Sequence, residues 1–151
     1  MLRQLGLLSL AIGLTVAACD DDDPSGPAPE NFTATLNGAN ESPPVTTTAA
    51  GTATFTLTGN DLDYNITVTN WPAGRTLTAA HIHAAPVAPA TTGGVLQGWP
   101  VGSGGLTTTG GSGRIGLRQT TADSIRAGGT YFNMHSSVNG GGEIRGTIVR
   151  Q

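Results

Sequence analysis

Ala53-Thr-Phe-Thr-Leu-Thr-Gly-Asn-Asp-Leu-Asp-Tyr-Asn-Ile-Thr-Val68 decides the fold. Ala53, Phe55 and Leu57 recur every second residue, and so do Leu62, Tyr64, Ile66 and Val68. Period two places each apolar set on one face of a strand and leaves the threonines and aspartates on the other. Gly59-Asn60-Asp61 sits between the two runs as a turn, because Gly and Asn accept positive φ at little cost. The stretch therefore reads as a β-hairpin with one apolar face.

The same alternation extends outward. Upstream, Phe32, Ala34 and Leu36 share a face of a strand ending at Asn37-Gly38, and Glu41-Ser-Pro-Pro-Val45 forms a bend because its prolines lack backbone donors. Downstream, Trp71-Pro72 closes the hairpin, residues 76–84 form a strand, and 87–94 form a Pro/Ala/Thr/Gly loop. Weaker strands are expected over 95–99 and 113–118, and the last two over 130–135 and 143–149. One helical turn is expected at 121–128, with Thr121 as its cap and Gly128 as its stop. About eight short strands predict an all-β fold, an antiparallel β-sandwich or Greek-key barrel. The expected core comprises Phe55, Leu57, Tyr64, Ile66, Val68, Ile82, Phe132, Met134, Ile144 and Ile148.

Composition agrees with this. The chain has 23 glycines, only 11% charged residues and no lysine. Its formal net charge of −3 argues against nucleic acid as a partner and against electrostatic adsorption to an anionic membrane. At the N-terminus, Arg3 precedes an apolar run from Leu5 to Val16, too short to span a bilayer, and Val16-Ala17-Ala18-Cys19 follows. The pattern resembles a bacterial lipoprotein signal. It implies cleavage after residue 18, acylation of Cys19 and a membrane partner through that lipid. Residues 19–30, with four aspartates and three prolines, form an extended tether, and 31–151 form the β domain. With one cysteine, no internal disulfide is possible.

The three histidines fall in two strands, His81-Ile-His83 and Tyr131-Phe-Asn-Met-His135. Burial of Ile82 turns His81 and His83 to the opposite face. Burial of Phe132 and Met134 turns Tyr131, Asn133 and His135 outward, and burial of Ile144 and Ile148 does the same for Glu143, Arg145 and Thr147. If these strands are neighbours, three imidazoles form a nitrogen site suited to Cu or Zn, with Asn133 or Glu143 orienting a ring. The alternative is a hydrogen-bonded network in which Arg145 pairs with Glu143 and His83 bonds to a loop carbonyl. There is no Gly-x-Ser-x-Gly elbow or phosphate loop, and no catalytic residue is assigned.

Phe32-x-Ala34-x-Leu36-x-Gly38, Glu41-Ser-Pro-Pro-Val45, Gly51-x-Ala53-x-Phe55, Leu62-x-Tyr64-x-Ile66-x-Val68, Ala80-His-Ile-His83, Gly128 with Tyr131-x-Asn133-x-His135, and Gly142-Glu-Ile-Arg-Gly146 occur in that order. Together they resemble the chordin (CHRD) domain over essentially all of 31–151. The resemblance implies an extracellular or envelope β-domain with no enzymatic activity to carry over. The loop 84–94 departs from the common family pattern. His-x-His in a strand also resembles part of copper/zinc superoxide dismutase, but that family's ligand set cannot be assembled from three histidines and one cysteine.

Three functions follow as expectations. The first is a non-enzymatic binding or scaffolding module of the cell envelope or surface, with a protein or surface ligand. The second is a metal-binding domain using His81, His83 and His135, with a redox-active metal as one form. The third is an adhesion or carbohydrate-binding module using Trp99 and its loop.

Overall fold

In the computed structural model, which describes residues 26–85 and 92–151, the central hairpin becomes β2 (Ala50–Thr58) and β3 (Asp61–Thr69). The expected signal segment, Cys19, most of the tether and residues 87–91 of the expected loop lie outside the described residues. The β2–β3 register runs unbroken from Ala50↔Thr69 to Thr58↔Asp61. Gly59 turns the hairpin at φ 60°, a conformation that glycine takes without a Cβ clash. Every apolar residue of the alternation is buried except Tyr64, which packs partly buried against the core.

The remaining strands are β1 (Glu30–Asn37), β4 (Leu77–Ala84), β5 (Val95–Gly98), β6 (Gly110–Gly116), β7 (Thr130–Ser136), β8 (Ile144–Thr147) and β9 (Val149–Arg150). Eight of them form one antiparallel sheet in the order β5-β4-β7-β8-β1-β2-β3-β6, and β9 also pairs with β1. The sheet curls over a single core. Phe55 on β2 meets Phe132 on β7 edge-on at 6.0 Å, and Trp99 meets both Tyr64 and Phe132 edge-on. Strands far apart in the sheet order thus face each other across the same apolar interior. The fold is all-β, as the alternation predicts. Between the two wings, β1 and β8 share one registered pair, Asn37↔Arg145. Among the described residues no helix is long and apolar enough to cross a membrane.

Several local expectations change. The helix, α1, spans Gln119–Arg126, and Arg118 occupies the cap position without a side-chain bond. Thr121 is buried instead and donates to Leu96 O, so it fastens the helix to β5 rather than capping it. Strand β6 starts at Gly110, earlier than expected, because its glycines show no apolar alternation yet pair with Thr67 to Tyr64 of β3. The last strand divides at Ile148, whose N–H donates to Thr130 O while Val149 pairs with Thr33 on β1. Trp99 is buried in the core. Its ring is not available to stack on a sugar, which removes the basis for an adhesion site at Trp99.

Candidate metal centre

Strand β7 lies between β4 and β8, and this placement builds the site. Across it, His83 pairs with Tyr131 and then Thr147, and His81 pairs with Asn133 and then Arg145. Ile82, Phe132, Met134 and Ile144 all point into the core with no exposed surface. Alternation therefore puts His81, His83, Tyr131, Asn133, His135 and Arg145 on the opposite face.

The three histidines come together there. Their ligand nitrogens all lie within 4.8 Å of one another, and His81 Nδ1 is 3.0 Å from His135 Nε2. Two imidazoles bound at about 2.0–2.1 Å to one tetrahedral ion hold their nitrogens roughly 3.3 Å apart. The closest pair is thus already near ligation spacing, and small ring rotations close the widest gap.

Two rings are held by backbone carbonyls: His83 Nδ1 meets Gly93 O at 2.9 Å, and His135 Nδ1 meets Gly140 O at 3.0 Å. A carbonyl only accepts, so each Nδ1 carries the proton and each Nε2 keeps its lone pair, the arrangement that orients a metal-ligating imidazole. His83 Nε2 is buried and has no partner. Burial holds His81 below the ordinary imidazole value, aided by the neighbouring His135 and His83. Burial lowers His135 as well, against its bond to Gly140 and with help from His83. Both rings are therefore neutral near pH 7, the form a metal binds.

Tyr131 stacks parallel on His83 with centroids 4.8 Å apart, and the Arg145 guanidinium lies 3.5 Å over the Tyr131 ring. Tyr131, Asn133 and His135 do occupy the face opposite the core, but they do not face solvent: all are buried. The expectation of an outward-facing β7 fails because other segments cover it. The Arg145 guanidinium lies over Tyr131, Glu41 lies against Asn133, and the Gly140 carbonyl closes over His135. Strand β7 is buried along its whole length.

Glu143 also departs from expectation. It is fully buried and pairs with Arg75 at 2.6 Å, not with Arg145. Ser136 and Asn139 each donate to it at 2.6 Å, and Thr47 donates as well. Burial pushes its carboxyl up, but the bonds from Ser136, Thr47 and Asn139 and the charge of Arg75 bring it below its ordinary value. Glu143 thus ties the 136–142 turn to the segment before β4, and no bond joins it to a histidine.

Sequence reasoning placed Glu41 in a bend and gave it no role. In the fold it is buried beside this face, and its Oε1 has no partner. Burial raises its carboxyl to about 7, against the charge of Arg145 and bonds from Asn133 and the Ser42 backbone, while Glu143 adds to the rise. The available signal was a lone carboxylate in an otherwise uncharged Pro-rich bend, Glu41-Ser-Pro-Pro-Val45.

No curated protein and no solved structure matches the chain significantly. The family model for the CHRD domain matches residues 32–148, from the first buried aromatic of β1 to the last buried isoleucine, and the chain belongs to that family.

Proposed function

We propose that this domain is a metal-binding module that takes Cu²⁺ or Zn²⁺ through His81, His83 and His135, held at the cell envelope by a lipid on Cys19 behind the 19–30 tether. One observation carries the metal assignment. Three ligand nitrogens converge within 4.8 Å, and backbone carbonyls hold two of the rings so that the His83 Nε2 lone pair is unpartnered and that of His135 Nε2 accepts only from the neighbouring His81 Nδ1. The buried His83 Nε2 has no partner within the chain, and since leaving such an atom unsatisfied costs about 1–3 kcal/mol, a ligand there, supplied by the same site as the other two nitrogens, supports the reading. This favours metal binding over a scaffolding role without metal. The envelope assignment rests on the lipoprotein-like pattern ending at Cys19 and is tested separately below.

The test is calorimetric titration of Cu²⁺ and Zn²⁺ into the wild type and a His81→Ala/His83→Ala double variant, with circular dichroism as the fold control. Loss of two of three ligands should weaken binding by at least ~100-fold, given that even an outer-shell partner is worth 10–100-fold. Equal, weak binding by both proteins would refute the assignment.

A further inference from the structure

Two more buried acceptors on this face lack partners, Asn133 Oδ1 and Glu41 Oε1. Unsatisfied buried groups mark places where a water or an ion completes the structure. Asn133 stands in register between His81 on β4 and Arg145 on β8. Its amide is bonded to Glu41, and because Oδ1 is the unpartnered atom, Nδ2 makes that bond. A planar amide with its nitrogen on the carboxyl directs its oxygen away from that carboxyl. Directly opposed residues in adjacent strands have Cβ atoms about 4.5–5.5 Å apart, so His81 and Asn133 are immediate neighbours.

We propose that Asn133 supplies the oxygen side of the metal centre: its Oδ1 accepts a hydrogen bond from a water molecule in the fourth coordination position, and Glu41 is the positioning residue that fixes the amide. The proposal rests on the metal assignment above. It makes the site open, with three protein nitrogens and one exchangeable water, rather than closed by four protein ligands. No charge is needed at residue 41 for this role, only an acceptor facing Asn133 Nδ2.

The experiment loads the protein with Cu²⁺ and measures affinity together with pulsed EPR in D₂O, which detects exchangeable water on the metal. Wild type should show that water. Asn133→Leu should lose it and bind about 10–100-fold more weakly, the usual cost of removing an outer-shell partner. Glu41→Gln, which keeps an acceptor oxygen, should behave as wild type, whereas Glu41→Leu should resemble Asn133→Leu. A merely structural role for Glu41 predicts no such rescue by Gln. If Asn133→Leu does not fold, Asn133→Asp, of nearly the same volume, should retain binding with a changed copper spectrum. Wild-type affinity and water signal in Asn133→Leu, or an unchanged spectrum in Asn133→Asp, would overturn the proposal while leaving the metal assignment standing. Failure of the wild type to bind metal would overturn the metal assignment itself.

Discussion

Glu41→Gln isolates the buried carboxyl beside the candidate centre. The Glu41 carboxyl moves from its ordinary 4.5 to about 7 on folding. The folded state therefore holds its proton more tightly than the unfolded chain does. Its contribution to stability is fully present below 4.5 and is lost as pH rises through 7. At 1.36 kcal/mol per tenfold change in proton affinity, the loss is at most ~3.4 kcal/mol. Glu41 lines a cleft of about 310 Å³ with Pro43, Val138 and Gly140–Gly142, and screening by solvent in that cleft brings the figure to about 2 kcal/mol. Glutamine keeps the shape and never ionises.

The assay is urea denaturation of both proteins at pH 4.5 and 8.5 with chelator present. The stability difference, wild type minus variant, should shift against the wild type by about 2 kcal/mol, or roughly 1 M in midpoint at a slope near 2 kcal/mol/M. His81 and His135 act in the opposite sense: their folded values are lowered, so their contribution is present above the ordinary 6.5 and lost on acidification. They are common to both proteins and largely cancel in the difference. A difference independent of pH would refute the buried-carboxyl account.

Arg75→Met should cost about 3 kcal/mol, roughly 10 °C in Tm, because it leaves the fully buried Glu143 without its cation; a loss below ~1 kcal/mol in thermal melts would contradict that pairing. Gly142→Ala places a Cβ on the Glu41 carboxyl at a backbone φ of 143°. It should destabilise by about 1–3 kcal/mol and weaken Cu²⁺ binding through the adjoining Gly140–His135 contact; unchanged melting and titration curves would count against that packing. Cys19→Ala should abolish lipid labelling and release the protein from membranes, and an unchanged membrane fraction would sink the anchoring proposal.

Alternation within single strands was enough to sort residues into faces, which is why the core and the shared parity of the histidines were legible. Face assignment is local: Ile82 buried means His81 and His83 opposite, whatever lies alongside. Strand adjacency is not local. Nothing in the period of Leu77–Ala84 says that it pairs with Thr130–Ser136, which comes after two further strands and a helix. Burial of the far face was hidden for the same reason, because covering residues come from irregular segments around Glu41 and Gly140 that carry no periodic signal. Glu41 and Arg75 were missed because each lies outside a strand, where parity has nothing to say. Thr121 shows tertiary contact overriding local preference: a good capping residue is drawn into the interface with Leu96.

The placement of β7 between β4 and β8 also sets an order of events. His81 and His83 leave the ribosome together, but His135 comes 52 residues after His83. Until β7 inserts, the growing chain offers an ion only two imidazoles on a flexible segment, a weak and unselective grip. The three-nitrogen arrangement exists only once β7 has paired with β4. If the proposed centre takes a metal, the choice falls to a finished geometry in whatever compartment the chain folds, and not to the first ion the nascent chain meets. On the metal-binding proposal, the fold would come before the ion, the reverse of small domains that collapse around a metal.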